Sequence, residues 1–471
     1  MISSDSPTGP EQRIGSERLI ARLRSALGEK AVVTDPDVLD SHRNDEATFC
    51  AAGVPAVLVR PGSTAEVAEV LRAAGEYGVP VVTQGARTGL SGAANAIDGC
   101  ILLSTARMNK VLEISAEDQV AVVQPGVVNA DLSHAVGEAG LFYPPDPSSW
   151  EMSTVGGNIA TNAGGLCCVK YGVTGDFVRG LEVVLASGEV VRTGRRTVKG
   201  VAGYDLTRLI VGSEGTLGVV TEATLALLPA PEAALTAAAT FLSIEDGIAA
   251  AAAVMASGLR PSLLEFLDGP TARAIQNYRD MGLPADVGSL LLAQSDRGPR
   301  AAEDVAAIAA ICTAHGAVEV AEASDAEESA MLLEARRLVH AALEPLGTTL
   351  IDDVAVPRSR LVALLHGIAE IGAKYDVLIC CPGHVGDGNM HPTVVFDRDD
   401  PAAEARALEA FGAVMNLGLA LGGTITGEHG IGKLKRQWLE AELGPVGLRL
   451  QREIKSVFDP AGLLNPDKVF L

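Results

Sequence analysis

The chain has no Cys-x-x-Cys pair, so neither a zinc ribbon nor an iron–sulfur cluster is signalled. Any electron that leaves it must therefore leave without an iron–sulfur centre in the same chain. Seven cysteines are present, an odd number, at Cys50, Cys100, Cys167, Cys168, Cys312, Cys380 and Cys381. In a cytosolic protein they read as free thiols packed as small hydrophobes. Positive charge is scarce too. Lys and Arg number 37 against 59 Asp and Glu, a net charge of −22. No basic run is long enough to track a phosphate backbone, which speaks against a nucleic-acid partner. The start, MISSDSPTGPEQRIGSERLIARL, has no apolar signal core. No segment nears the roughly 18 uninterrupted apolar residues of a membrane span. The expectation is a soluble, cytoplasmic protein, with peripheral attachment to the inner face of a membrane left open.

At 471 residues the chain is too long for one ordinary core, and two or three domains are expected. Residues 1–17 read as disordered. The stretch 55–83 reads strand, helix, strand, with Ser63 or Thr64 as N-cap and an apolar stripe through Val67, Val70, Leu71 and Ala74. From 100 to 228 short β-rich runs dominate, broken by one helix in NADLSHAVGEAG and by a Ser-Gly hairpin turn in LEVVLASGEVVRTG. After the Pro-Ala-Pro at 229–231 the texture changes to alanine-rich helices alternating with strands such as SLLLAQS, which marks a domain boundary.

Two glycine-rich loops carry the first chemical signal. TQGARTGLSGAAN follows a strand, and its glycines let several backbone N–H groups converge on one anion such as a pyrophosphate. The spacing is not that of the Rossmann fingerprint, and alone it reads sooner as a simple surface loop. PPDPSSWEMSTVGGNIATNAGGLCCVKYG, at 144–172, is a long polar loop inside an apolar domain, whose backbone a bound cofactor would satisfy better than water. The second signal is GHVGDGNMH at 383–391, in which His384 and His391 flank a Gly-Asp-Gly-Asn turn. On spacing alone they are metal ligands, an acid–base couple or polar residues closing a hairpin.

Seven collinear motifs settle between these. PVVTQGARTGLSG, STVGGNIATNAGG, VKYGVTGDFVRGLEVVLASGEVV, GSEGTLGVVTE, GHVGDGNMHP, TGEHGIGKLK and FDPAGLLNPDK together resemble the FAD-linked 2-hydroxy-acid dehydrogenases, from about residue 18 to the end. That family includes the glycolate oxidase flavin subunit, D-lactate dehydrogenase and D-2-hydroxyglutarate dehydrogenase. The resemblance implies an α+β fold: a vanillyl-alcohol-oxidase-type FAD-binding domain of two α+β subdomains (18–229), a cap with an antiparallel sheet (230–425), and a last segment (426–471) that returns to the first domain. It implies that Gly85, Ala86, Arg87, Thr88, Gly89, Leu90, Ser91 and Gly92 hold the FAD pyrophosphate. Pro145, Asp146, Ser149, Thr154, Gly157, Asn158, Thr161, Asn162 and Gly164 would line the flavin, with Asn389 and Asn465 as further cofactor contacts. The family's first loop is usually richer in glycine, and here Ala86-Arg87 intrudes. Arg87 would add a charge-assisted contact to the pyrophosphate. Residues 84–95 contain no histidine or cysteine to tether a flavin, and His134 lies on a helix, so FAD is expected to be non-covalent.

The same resemblance gives the opening pair a third partner. His384, His391 and Glu428 would bind a divalent metal, zinc in the first place with iron or manganese as alternatives, and His429, titrating near neutrality, would be the base. Arg336 would clamp the substrate carboxylate. Where relatives that take D-2-hydroxyglutarate have a lysine this chain has Ile351, which favours glycolate or D-lactate. The electrons would pass to an external acceptor: a quinone, an electron-transfer flavoprotein, a cytochrome or an iron–sulfur partner. A homodimer remains open. Three other readings stand beside this one: D-2-hydroxyglutarate dehydrogenase, a non-catalytic flavin-type partner subunit, and a metal-dependent hydrolase. The partner subunit would be expected to have lost the paired histidines, and the hydrolase leaves both glycine loops unexplained.

Overall fold

The helix Thr64–Tyr77 illustrates how the first domain is built. Ser63 caps it by accepting from the Glu66 N–H, Gly78 closes it at φ +63°, and Val67, Val70, Leu71 and Ala74 on one face are buried. Each buried Val or Leu contributes about 1.5–3 kcal/mol relative to exposure. That stripe packs on a four-stranded sheet ordered Val32–Val33, Val57–Val59, Ile101–Ser104, Val81–Gln84. The last three strands are parallel, because the helix supplies the crossover between the second and fourth. The structure, a computed structural model, describes residues 10–47 and 49–470. Its first helix, Pro10–Leu27, begins inside the stretch expected to be disordered, and residues 1–9 lie outside the described residues.

A five-stranded antiparallel sheet follows, ordered Val111–Ser115, Val120–Val123, Val219–Ala226, Val178–Val184, Val190–Gly194. The expected helix spans Asn129–Glu138, and the Ser-Gly turn at 187–188 joins the last two strands of the sheet as a hairpin. Beyond residue 234 a seven-stranded antiparallel sheet runs Glu319–Glu322, Leu235–Phe241, Ser289–Ser295, Leu263–Asp268, Gly383–His384, Asn389–Met390, Val354–Ala355. Its alanine-rich helices Ile244–Ala256 and Ala301–Ala314 pack on it through Ile248, Val254, Val305 and Ile308.

The strand Leu263–Asp268 is buried along its whole length. Leu264 and Phe266 enter one hydrophobic cluster while Leu263 and Leu267 enter another, the alternation a covered strand requires. Glu265 lies on the Leu263 side of that strand. The chain's last segment reaches back to the first domain: Leu464 bridges Val81, Asn465 Nδ2 donates to the carbonyls of Ala93 and Glu214, and Lys468 Nζ donates to that of Asn95.

All seven cysteines are free thiols, five of them buried. No helix among the described residues is long and apolar enough to cross a membrane.

Candidate active site

A cavity lies between the two glycine loops. Residues 85–91 line it on one side, and Ser149, Thr154, Gly157, Asn158, Thr161 and Gly164 line it on the other. The loops meet closely: a Cβ on Gly85 would sit 2.3 Å from Thr154 Oγ1, so only glycine fits there. Arg87 has φ +64°, a left-handed conformation that explains why glycine is usual at this place, and its Nη1 donates to the Ser41 carbonyl at 2.5 Å. Its Nη1 is thus engaged by the protein, while the residue itself lines the cavity.

Six residues expected to touch the cofactor do not line this cavity: Gly92, Pro145, Asp146, Asn162, Asn389 and Asn465. Asn162 ends a helix at φ +53° and accepts from the Gly175 N–H. The Pro145 carbonyl accepts from Asn129, and Asp146, half-buried, accepts from the Cys167 N–H. Asn465 spends its amide on Ala93 and Glu214. Asn389 is buried beside Gly427, its Oδ1 without a partner among the described residues.

The ligand candidates converge beside the cavity. Glu428 Oε1 lies 3.4 Å from His384 Nε2 and 3.3 Å from His391 Nε2, and one donor atom from each of the three residues falls within 4.8 Å of the others. Burial works against charge on Glu428, yet hydrogen bonds from both imidazoles hold its carboxyl well below the usual range. Burial likewise opposes a charged His384, and Glu265 with Glu428 overrides it and raises its pKa well above the ordinary value. The hairpin Gly383–His384 and Asn389–Met390 supplies the two histidines because Gly383 leaves no room for a side chain: its Cβ would meet the Asn389 carbonyl at 2.6 Å.

His429 stacks on His391, ring centroids 5.2 Å apart at 16°. Its Nδ1 lies 3.6 Å from Asp353 and its Nε2 3.8 Å from Glu428. The expectation that it titrates near neutrality is corrected. Burial, with His391 adding to it and Asp353 opposing, pushes it down to about 4, so the ring is neutral at pH 7. Glu428 and His429 also line the cavity between the glycine loops. A Cβ on Gly164 would fall 2.3 Å from Glu428 Oε2, so the glycine loop and the ligand cluster share one wall.

Three carboxylates escaped the sequence reading. Asp353, fully buried, accepts from the backbone N–H groups of Gly427 and Glu428 at 2.6 Å and of His429 at 3.1 Å, and pairs with buried Lys435. It folds the loop that presents Glu428 and His429. Glu214 accepts from the N–H groups of Ile431 at 2.7 Å and Gly432 at 2.8 Å, and burial raises its carboxyl to about 7. Glu265 accepts from His384 Nδ1 at 2.6 Å and Arg336 Nε at 2.7 Å. Arg336, the expected clamp, is therefore anchored one side chain away from the ligand cluster, its guanidinium ends engaging no described residue.

Residues 55–194 match the FAD binding domain family, and residues 230–469 match the family of FAD linked oxidases, C-terminal domain. The chain belongs to the FAD-linked oxidases. It is 44% identical over 428 residues to the glycolate oxidase subunit GlcD of Bacillus subtilis (strain 168), covering 90% of this chain and 91% of that one. It is 36% identical over 456 residues to a D-lactate dehydrogenase of Anaerostipes hadrus, covering 94% and 95%. Its fold is of the vanillyl-alcohol-oxidase type: the crystal structure of p-cresol methylhydroxylase with substrate bound superposes with a TM-score of 0.80, covering 97% of each chain at 19% identity. Members of this family are FAD-dependent oxidoreductases, and the residues here fit the cofactor. No backbone N–H of residues 86–91 donates to another described residue, which leaves a row of donors facing the cavity for an anionic group. The donor chemistry of His384, His391 and Glu428, two imidazoles and a carboxylate with one donor atom each within 4.8 Å of the others, fits a divalent cation.

Proposed function

We propose that this protein oxidises a small D-2-hydroxy acid, glycolate or D-lactate, to the corresponding 2-oxo acid and passes the electrons to an external acceptor. The observation that carries the reading is that Glu428, a member of the His384–His391–Glu428 cluster, lines the cavity between the glycine loops together with His429. A hydride acceptor and a hydroxyl-binding site would then be adjacent. FAD, held non-covalently, supplies the hydride acceptor when bound. A divalent ion at His384, His391 and Glu428, zinc first, supplies a Lewis acid that lowers the hydroxyl pKa.

The chain's own residues do the rest. Arg336, with Nε held by Glu265, offers its two Nη groups to the substrate carboxylate. His429 directs Nδ1 toward Asp353 and Nε2 toward the cluster, so the hydroxyl proton is taken at Nε2. Asp353, whose carboxyl is kept well below the usual range against burial by Lys435 and His429, stabilises the imidazolium that forms.

A second cavity bears on substrate size. Ile351 lines it beside His340, which is coupled electrostatically to Arg336 and His391. Its lining also includes Glu46, Glu344, Asp397 and Asp399 against Arg398. That acidic excess disfavours a second carboxylate, which supports a monocarboxylic substrate over D-2-hydroxyglutarate.

The test is an anaerobic titration of the purified protein with glycolate, D-lactate, L-lactate and D-2-hydroxyglutarate in turn. Bleaching of the flavin's visible absorption by glycolate or D-lactate is the expected result. A flavin that none of them bleaches would overturn the reading in favour of a partner subunit.

A further inference from the structure

Glu265 sits between the two parts of the site that must act on one substrate molecule. Its Oε1 accepts from His384 Nδ1 at 2.6 Å and its Oε2 from Arg336 Nε at 2.7 Å. It is fully buried, and the side chains of His384 and Arg336 are 4% and 10% exposed. The strand Leu263–Asp268 holds it there. Phe266, the next residue, pairs with Gly383, which precedes His384, while Leu263 and Leu267 on the Glu265 side share a cluster with Ala335, the neighbour of Arg336.

We infer that Glu265 is a positioning residue that sets, with one carboxylate, both the tautomer of a metal-binding histidine and the aim of the substrate clamp. This rests on the reading of His384, His391 and Glu428 as ligands. A neutral imidazole that donates from Nδ1 carries its lone pair on Nε2, the atom that faces Glu428 at 3.4 Å, so a metal that displaces the Nε2 proton meets its donor there. An arginine fixed at Nε presents its two Nη groups as a fork in a fixed plane. The carboxylate has an acceptor for each partner, and no neutral isostere has. In Glu265→Gln one of the two bonds must fail. With the amide oxygen toward His384, the NH2 group confronts the Arg336 Nε–H. With the oxygen toward Arg336, the NH2 group donates to His384 Nδ1 and drives the ring proton to Nε2, where a metal ligand needs its lone pair. Metal binding and carboxylate binding are thereby tied to a single side chain that touches neither ligand.

The experiment compares wild type and Glu265→Gln as flavin-loaded proteins stripped of divalent metal. Each is titrated with zinc against a chromophoric chelator in the absence of substrate, and KM for the hydroxy acid is then measured after zinc is restored. Expected for the variant are wild-type flavin absorption, a zinc affinity weaker by about 10- to 100-fold, and a raised KM. Equal zinc affinity and equal KM in the two proteins would overturn the role of Glu265 and leave the ligand set standing. A wild type that takes up no zinc, iron or manganese would overturn the ligand set itself, and the inference with it. Should Glu265→Gln fail to accumulate with flavin, Glu265→Asp carries the test, because it keeps both acceptors and withdraws them by one methylene. Weakened zinc binding in it supports the inference, and wild-type binding overturns it.

Discussion

His429 and Glu214 both line the cavity between the glycine loops, and burial shifts their pKa values in opposite directions. On the imidazole it removes the proton at neutral pH, which suits a base. His429→Asn keeps the size of the group and removes the acceptor, so turnover should fall about a hundred- to ten-thousand-fold while flavin content stays unchanged, as rapid-reaction and absorption measurements would register. On the Glu214 carboxyl, burial retains the proton, raising it from 4.5 to about 7. A carboxyl that holds its proton more tightly folded than unfolded stabilises the fold at low pH, and this contribution is lost as pH rises through about 7. Glu214→Gln should therefore flatten the difference in melting temperature between pH 5 and pH 8, at a cost of about 1 kcal/mol for the one backbone N–H left without an acceptor. Thermal melts at the two pH values check it. At this scale the sequence showed the histidines and Glu428, because a motif announces them. Glu265 was legible in principle, since a carboxylate inside the apolar run LLEFLD must find a buried partner. Its partners could not be named, because Arg336 and His384 lie 71 and 119 residues away along the chain.

The elements bring those residues together by close approach of backbone. The Gly383–His384 hairpin edge, the Gly427–His429 loop and the Gly164 turn all crowd one point, and each relies on the absence of a Cβ. Gly164→Ala would drive a methyl group to 2.3 Å from Glu428 Oε2. Gly164 also lines the cavity between the glycine loops, so flavin content is read alongside. Zinc affinity and turnover should both drop by at least about tenfold as Glu428 is displaced, which metal titration beside an absorption spectrum would separate. Regular elements with a local cause, such as the Ser63-capped helix and the 187–188 hairpin, were legible from short stretches of sequence. The seven-stranded order was not, because Leu263–Asp268 joins Gly383–His384 across more than a hundred residues and no periodicity encodes such a pairing.

For the whole molecule, a charge of −22 surrounds a site that is proposed to take an anion. Arg336 attracts the carboxylate only at short range, while the field of the surface opposes its approach. Added salt should therefore lower KM for glycolate or D-lactate, by about two- to threefold between roughly 0.01 and 0.15 M ionic strength, where the Debye length shrinks from about 30 to 8 Å. Steady-state assays in potassium chloride test this, and a KM that rises with salt would contradict it.

The tail that ties Leu464, Asn465 and Lys468 to Val81, Ala93, Glu214 and Asn95 carries a consequence for biosynthesis. A ribosome delivers both glycine loops, and the sheets behind them, hundreds of residues before it delivers the segment that fastens them. Flavin capture should thus await residues 464–468, and a nascent chain stalled before Leu464 should emerge colourless.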